Sequence, residues 1–272
     1  AKRAGSDHAA QTFTATVDAD GRFALPLAGL RPDTYRLRLQ SMHVNGAMTQ
    51  QSLELTIDRA RGPDLNDLQA QWSVVRAKRA IFAGDPEARR FLVDPELASD
   101  KTGQTRRGLA VLHGVVTPPA PVELDRVTAS RVYLSDAAWL EARVGWGEPT
   151  RNTFWFSDKF NRGIFLFLKD RLYDKGLYAH ADSSYVFATG GNWKTLTATV
   201  GLRDGASKQG SAIFAVLGDG REVYRSALLR AGESAEVKAD ITGVKRLELV
   251  AKGGEGHTSN AWAVWLDPQV SR

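Results

Sequence analysis

The residue types that could do chemistry lie in three short segments of the second half of the chain: VGWGEPTRN (144–152), LYAHAD (177–182) and EGHTSNAW (255–262). Each segment combines an aromatic or imidazole ring with polar side chains. Rings of this kind cover the apolar C–H face of a sugar, and fixed polar groups replace the water bound to its hydroxyls. The three segments are compatible with a shallow carbohydrate-binding site, which would be formed by Trp146, Arg151, His180, Asp182, Glu255, Asn260 and Trp262.

Each of these rings has an alternative role in the hydrophobic core. Gly145 and Gly147 flank Trp146 and allow the backbone to expose the ring, but a buried wedge fits the same residue type. His180, between two alanines, is compatible with a site residue or with a packed histidine whose ring is satisfied by the backbone. Alternation in a strand puts Trp262 and Trp265 on opposite faces, so one of them packs inward.

Composition excludes several classes of protein. The chain has 272 residues, 43% of them hydrophobic, and no apolar run long enough to span a membrane. It has no cysteine, which removes disulfides, thiolate metal sites and a cysteine nucleophile. The formal net charge of +5 is dispersed rather than gathered in a basic stripe, which disfavours nucleic acid as a partner.

No local catalytic motif is present in the sequence. It lacks a serine nucleophile elbow, a zinc-binding His-Glu helix and a phosphate-binding glycine loop with its lysine, and no carboxylate pair is singled out for glycoside hydrolysis. We therefore expect no enzymatic activity in this chain itself. The first residues, AKRAGSDHAA, lack an initiator Met, and we expect the chain to be a piece of a larger protein, possible parents including a glycan-active enzyme.

The first half of the chain predicts a small β unit followed by a connector. TFTATV, RFALPL, TYRLRLQ and SLELTI alternate with a period of two and are separated by turn residues, which predicts an immunoglobulin-like unit, incomplete in strands, over residues 1–58. Leu65, Leu68, Trp72 and Val75 are spaced by threes and fours, which predicts a helix over 65–82. The segment 84–107 is interpreted as a loop or short second helix, and the proline-rich VTPPAPVEL completes a connector over 59–128.

Residues 129–272 predict a jelly-roll β-sandwich. Short alternating strands recur here with few helical patterns, and six of the seven tryptophans follow Val132. Asp219-Gly220, between FAVLG and REVY, is the dipeptide that favours a two-residue hairpin turn. The fold class predicted for the whole chain is therefore mainly β.

Five strings in this half resemble the NPCBM family of carbohydrate-binding modules in the family's order and spacing. They are YLSDAAWLEARVGWG, YDKGLYAHADSSYVF, FAVLGDGREVYRS, ADITGVKRLELVA and GGEGHTSNAWAVWLD, and they cover residues 133–267. The resemblance implies a galactose-binding-like sandwich that holds a sugar in loops at one end and often carries a structural calcium. It places His180 and Ala181 on the family's His-Ala pair.

The last loop departs from the family pattern. Ala261, Trp262 and Val264 stand where the family commonly has an acidic residue, a histidine and a second acidic residue, so contacts made by those side chains would be lost. The string NTFWFSDKFNRGIFLFL (152–168) is unusually aromatic, and Trp155 and Phe156 could extend a sugar platform or form a partner surface. Calcium is expected from the resemblance alone, and the sequence assigns it no ligands.

The sequence thus favours a non-catalytic module that binds a neutral or anionic polysaccharide. We expect it to belong to a larger exported or surface protein of a bacterium, located outside the cell or in the envelope, with a parent catalytic domain as a partner. The alternative is a degenerate sandwich that has lost its sugar site and serves protein–protein contact or surface assembly.

Overall fold

The computed structural model describes residues 2–3, 24, 30–42, 48–60, 62–63, 65–82, 103–155, 164–254 and 257–272. The chain divides into two compact units, Ala1–Val116 and Thr117–Arg272. The division into segments 1–58, 59–128 and 129–272 stays a prediction.

The first unit contains an antiparallel sheet and two helices. Its strands are β1 (Lys2–Arg3), β2 (Asp33–Met42), β3 (Met48–Asp58) and β4 (Gly62–Pro63), paired in that order. The strands expected in TYRLRLQ and SLELTI are confirmed as the β2–β3 hairpin, whereas TFTATV and most of RFALPL lie outside the described residues. Tyr35, Leu55 and Ile57 bury their side chains in its core.

The two helices are α1 (Leu65–Phe82) and α2 (Gln104–Val116). The predicted stripe of α1 is confirmed, since Leu68, Trp72 and Val75 pack in the same core as the β2–β3 hairpin. Helix α2 extends beyond the segment in which a short helix was considered and ends at Val116, before Pro118 and Pro119. Leu109, Val111 and Leu112 form its buried face. No helix among the described residues is long and apolar enough to cross a membrane.

The second unit is a β-sandwich of two antiparallel sheets, as predicted. One sheet has the order β13-β12-β16-β10-β6, with β14 beside β12, and the other has the order β15-β11-β17-β5, with β9 beside β17. The strands of the first are β6 (Glu141–Arg143), β10 (Ser183–Ala188), β12 (Ser211–Gly218), β13 (Arg221–Arg225), β14 (Leu229–Arg230) and β16 (Arg246–Gly253). The strands of the second are β5 (Arg131–Tyr133), β9 (Gly176–Tyr178), β11 (Thr195–Leu202), β15 (Ser234–Asp240) and β17 (Ala263–Ser271).

Alternation within these strands builds the sandwich core. In β11, Leu196, Ala198 and Val200 are buried, and they pack with Phe214 of β12 and Trp265 of β17. Asp219 and Gly220 join β12 to β13 with φ values of 51° and 81°, which confirms the predicted two-residue turn.

A third, two-stranded sheet lies outside the sandwich core. Its strands are β7 (Leu166–Leu168) and β8 (Arg171–Tyr173), and they form one antiparallel hairpin. Leu166, Leu168 and Tyr173 pack against Val264 and Leu266 of β17 in a second hydrophobic cluster. This cluster supports the candidate functional site.

Candidate functional site

The Trp146 loop is shaped by its two glycines. A Cβ atom on Gly145 would lie 2.2 Å from the carbonyl oxygen of Ala181, so only glycine permits this approach of two backbones. Gly147 has a φ of 78°, and a Cβ there would lie 2.4 Å from the Trp155 ring. The loop thereby holds the half-buried Trp146 edge-to-face against Trp155, with ring centroids 4.4 Å apart.

His180 lies next to this loop and is buried, with 7% of its surface exposed. Its Nδ1 is 2.8 Å from the Ala181 carbonyl oxygen, which can only accept, so Nδ1 carries the proton. In the neutral ring Nε2 is then an acceptor. The ring centroid is 5.9 Å from that of Trp146 and 6.4 Å from that of Tyr178, so His180 is both packed and part of the ring cluster.

Further rings continue this series of contacts. Tyr178 meets Phe154 at 4.9 Å between centroids, and Phe154 meets Trp262 at 5.4 Å. The Arg203 guanidinium carbon lies 4.4 Å from the centroid of the Phe154 ring. We call this set the aromatic cluster; it consists of Trp146, Phe154, Trp155, Tyr178, His180, Arg203 and Trp262. It contains residues of all three segments singled out in the sequence and lies beside the start of β17.

The alternation predicted for the last strand is confirmed. Ala263 and Trp265 point into the sandwich core, whereas Trp262 and Val264 belong to the second hydrophobic cluster on the opposite face. Trp262 is half-buried at its edge. Ala261 is fully buried, and its carbonyl accepts a hydrogen bond of 3.1 Å from Ala181 N–H. The departures from the family pattern therefore supply a ring and apolar packing at this point.

Asp182 and Asn260 lie beside the aromatic cluster rather than in it. The exposed Asp182 accepts a 2.8 Å hydrogen bond from Gly253 N–H, which ties the His180 segment to the end of β16. Asn260 has a φ of 57°, which asparagine tolerates better than most residues, and it directs the chain into Trp262. Glu255 lies outside the described residues.

Arg151 lies apart from the ring contacts of the cluster. Its guanidinium carbon is 3.1 Å from the centroid of the Trp139 ring, and Nη2 donates to the Ala137 carbonyl at 3.0 Å. Burial lowers the pKa of this guanidinium, with Tyr185 and Asp136 opposing the change. The structure thus supports a packing role for Arg151 against Trp139.

Sequence reasoning missed several members of the cluster. Trp155 was weighed only as an extension of the site, and Phe156, weighed with it, lies outside the described residues. Phe154 and Tyr178 look like ordinary strand residues in the sequence. Arg203 gives no signal either, because its role depends on the pairing of Leu202 with Ala263 that brings it to Trp262.

The calcium implied by the resemblance stays a prediction, and the described residues assign it no side-chain ligands. Among them, no group of three or more His, Asp or Glu side chains is placed to hold a metal ion. Asp136 is engaged by Lys175 Nζ at 2.7 Å, Asp267 by Arg171 at 3.5 Å, and Asp240 accepts from Thr242 N–H at 2.9 Å. These carboxylates are neutralised or capped by the protein itself.

Comparison with known proteins gives one match among curated sequences. A protein of Renibacterium salmoninarum named "Putative endo-alpha-N-acetylgalactosaminidase" is 30% identical over 153 residues, which are 56% of this chain and 10% of that protein. The chain thus spans about a tenth of the length of the relative it matches.

Two solved structures from Clostridium perfringens are similar to the second unit. One is a CBM51 module of a GH95 protein in complex with methyl-galactose, at 27% identity and a TM-score of 0.46, covering 52% of this chain and 99% of that one. The other contains CBM51-2 and INT domains of ZmpB, at 23% identity and a TM-score of 0.46, covering 52% of this chain and 31% of that one.

The family model described as NPCBM/NEW2 domain matches residues 130–271, which contain both sheets of the sandwich and the aromatic cluster. The match confirms the resemblance carried by the five strings of residues 133–267. The chain belongs to the NPCBM/NEW2 domain family.

Proposed function

We propose that the second unit is a non-catalytic carbohydrate-binding module whose aromatic cluster receives the glycan. The observation that carries the proposal is the run of ring contacts from Trp155 through Trp146 and His180 to Trp262. It supplies the two kinds of group that sugar binding in water requires: the half-buried rings of Trp146, Trp155 and Trp262 for the C–H surface and fixed polar groups for the hydroxyls.

The polar groups of the cluster are oriented before any ligand arrives. Tyr178 donates its hydroxyl hydrogen to the Trp146 carbonyl at 2.7 Å, and His180 is fixed by its bond to Ala181. Arg203 Nε donates to the Phe165 carbonyl at 2.8 Å. Groups held in place lose little conformational entropy on binding, which favours affinity in a shallow site.

Hydrogen bonds from Arg225 and Thr242 lower the pKa values of Glu222 and Asp240, which is the opposite of what the general acid of a glycosidase needs. Neither carboxyl group belongs to the aromatic cluster. We infer that catalysis, where the parent protein performs it, belongs to another domain, and that the module directs it to glycan outside the cell or in the bacterial envelope.

The name of the Renibacterium relative suggests N-acetylgalactosamine-containing glycans as the first ligands to test. The panel is completed by methyl-galactose, N-acetylglucosamine, and one neutral and one anionic polysaccharide, each with and without calcium. Binding is measured by isothermal titration or by retardation in glycan-loaded gels. Affinity for a neutral sugar should change little with salt, unlike that of a polyanion held by charge.

The substitutions Trp146→Ala, His180→Ala and Trp262→Ala test the site. We expect each to weaken binding by about tenfold or more. Each tryptophan substitution removes one ring from the site, and His180→Ala removes one uncharged polar contact. Trp139→Ala is the matched control, since Trp139 is also half-buried but stacks on Arg151. A wild-type chain that binds nothing in the panel would favour the alternative, a sandwich whose exposed rings contact another protein.

A further inference from the structure

The turn between β7 and β8 has an unfavourable backbone for its sequence. Lys169 and Asp170 form a two-residue turn with φ values of 53° and 60°. Such turns favour Asn-Gly or Asp-Gly because both positions are left-handed, and residues with a Cβ atom other than Asn and Asp rarely adopt that conformation. Lys169 is one of the residues that rarely adopt it, so the turn gains from support elsewhere in the chain.

Asp204, more than thirty residues away in sequence, supplies that support. Its Oδ1 accepts from Lys169 N–H at 3.0 Å and its Oδ2 from Asp170 N–H at 2.8 Å. Its own backbone N–H donates to the Phe167 carbonyl at 2.9 Å. A carboxylate bound by two successive backbone N–H groups forms charge-assisted hydrogen bonds, which are stronger than neutral ones.

The residues on both sides of Asp204 contact the aromatic cluster. Arg203 lies over Phe154, its Nη1 donates to the Asp204 carbonyl at 2.8 Å, and its backbone N–H donates to the Trp262 carbonyl at 2.8 Å. At Gly205, an added Cβ would lie 3.6 Å from the Trp262 ring. The position of Asp204 therefore affects the surroundings of two rings of the cluster.

The hairpin that Asp204 holds supports the same rings from below. Leu166, Leu168 and Tyr173 pack with Phe154 and Tyr178 in the second hydrophobic cluster. Phe154 N–H also donates to the Ile164 carbonyl at 2.7 Å, just before β7. The Asp204 carboxylate thus connects the β7–β8 hairpin, which packs against the aromatic cluster, to the segment that contains Arg203 and Gly205.

We propose that Asp204 is a positioning residue of the glycan site, which sets the placement of Trp262, Phe154 and Arg203 by binding the β7–β8 turn. The inference rests on the proposed function of the aromatic cluster.

Asp219 provides a matched control for this proposal. Its Oδ1 also accepts from two successive backbone N–H groups, those of Lys245 at 3.1 Å and Arg246 at 2.9 Å. Thr189 N–H donates to the Lys245 carbonyl, so this contact lies at the opposite end of β10 from His180. Asp219→Asn and Asp204→Asn each remove the negative charge from a carboxylate that accepts from two successive backbone N–H groups, and only the second affects the aromatic cluster.

The experiment measures glycan affinity, thermal stability and the near-ultraviolet circular dichroism of the tryptophans for both variants. We expect Asp204→Asn to weaken glycan binding by about tenfold, the effect of losing a charge-assisted bond that orders the site, and to change the tryptophan dichroism. Asp219→Asn should lower the melting temperature about as much as Asp204→Asn does. It should leave the glycan affinity and the tryptophan dichroism unchanged. Equal affinities in the two variants would overturn the proposal.

A rescue variant separates positioning from a general loss of folding. Lys169→Asn with Asp170→Gly gives the turn a sequence that favours the left-handed conformation without the carboxylate. Added to Asp204→Asn, it should restore most of the affinity and the dichroism. If the melting temperature recovers but neither the glycan affinity nor the tryptophan dichroism does, the proposal is contradicted.

The same measurements distinguish failure of the proposed function from failure of this inference. If the wild-type chain binds no glycan, the proposed function fails, and the tryptophan dichroism still tests Asp204. Adding Trp262→Phe to Asp204→Asn should remove most of the dichroism change. A change that persists undiminished would show that Asp204 does not act on Trp262.

Discussion

At the scale of single residues, the candidate site depends on glycines that allow two backbone segments to lie close together. Gly145 permits two backbones to meet beside His180, and its N–H donates to the His180 carbonyl at 2.9 Å. The sequence shows the glycine and suggests an exposed tryptophan after it, but not the partner segment, because the contact joins residues separated by about 35 positions. The reason for this glycine is visible only in three dimensions.

We predict that Gly145→Ala destabilises the second unit by about 1–3 kcal/mol, the usual cost of a forced contact in a packed region. Gly243→Ala is the control, since Gly243 has a φ of 76° but open space around its Cα. It should cost about 1 kcal/mol through backbone strain alone. Urea unfolding followed by tryptophan fluorescence measures both, and an equal or smaller cost for Gly145→Ala would refute the contact argument.

The buried side chain of Tyr185 should make the stability of the sandwich decrease at alkaline pH. The side chain is fully buried and donates its hydroxyl hydrogen to the Tyr178 carbonyl, and this burial raises its pKa far above the ordinary value, with Arg151 opposing the rise. Above the ordinary tyrosine pKa the folded state therefore retains a proton that the unfolded state loses. Stability is fully present below that pH and falls as the pH rises past it.

Tyr185→Phe should consequently unfold with a shallower pH dependence above about pH 10 than the wild-type chain, while being less stable at neutral pH because the Tyr178 carbonyl loses its donor. Thermal melts across the alkaline range measure both effects. An unchanged alkaline slope would show that another group controls it.

At the scale of elements, alternation at the start of β17 places two tryptophans in different surroundings. Trp265, in the strand, faces the core with no exposed surface, and Trp262, just before the strand, belongs to the aromatic cluster. Period-two alternation made this division predictable from the sequence, although it left open which tryptophan faces inward. Helix α2 was less predictable, because Gly108, Gly114 and three valines weaken its helical propensity and its buried face depends on tertiary packing.

We predict opposite results for alanine substitutions at these two positions. Trp265→Ala should cost about 3–5 kcal/mol of stability, as expected for removing a large ring from a packed core. Trp262→Ala should cost much less stability and lose glycan affinity instead. Chemical unfolding and isothermal titration on the same two proteins decide the matter, and a large stability loss at Trp262 would assign it to the core.

At the scale of the whole molecule, the sequence predicted the sandwich better than it predicted the site. Strand periodicity and the Asp219-Gly220 turn are local signals, and both are confirmed. The aromatic cluster joins residues 146 to 262, and its assembly depends on pairings such as β9 with β17, which no local pattern specifies. Arg151 is close to Trp146 in the sequence, but its guanidinium packs against Trp139 instead. Sequence proximity alone does not reveal this.

We predict that residues 117–272 fold and bind glycan by themselves, because the sandwich core and the aromatic cluster both lie within the second compact unit. The shortened chain should melt within a few degrees of the corresponding transition of the full chain and keep its affinity. Calorimetry and titration of the two proteins side by side give the comparison. A shortened chain that is unfolded would show that the first unit is required.

The pairing of β5 with β17 determines how the sandwich would respond to tension. Arg131 faces Ser271 and Arg272 N–H donates to the Ser130 carbonyl at 3.1 Å, so the strand that enters the sandwich and the strand that leaves it meet at one corner. A force applied through both of these strands would peel their hydrogen bonds apart one after another rather than shear them together. The pairing of β5 with β17 would then resist force weakly, and it would separate before the other strand pairs of the two sheets.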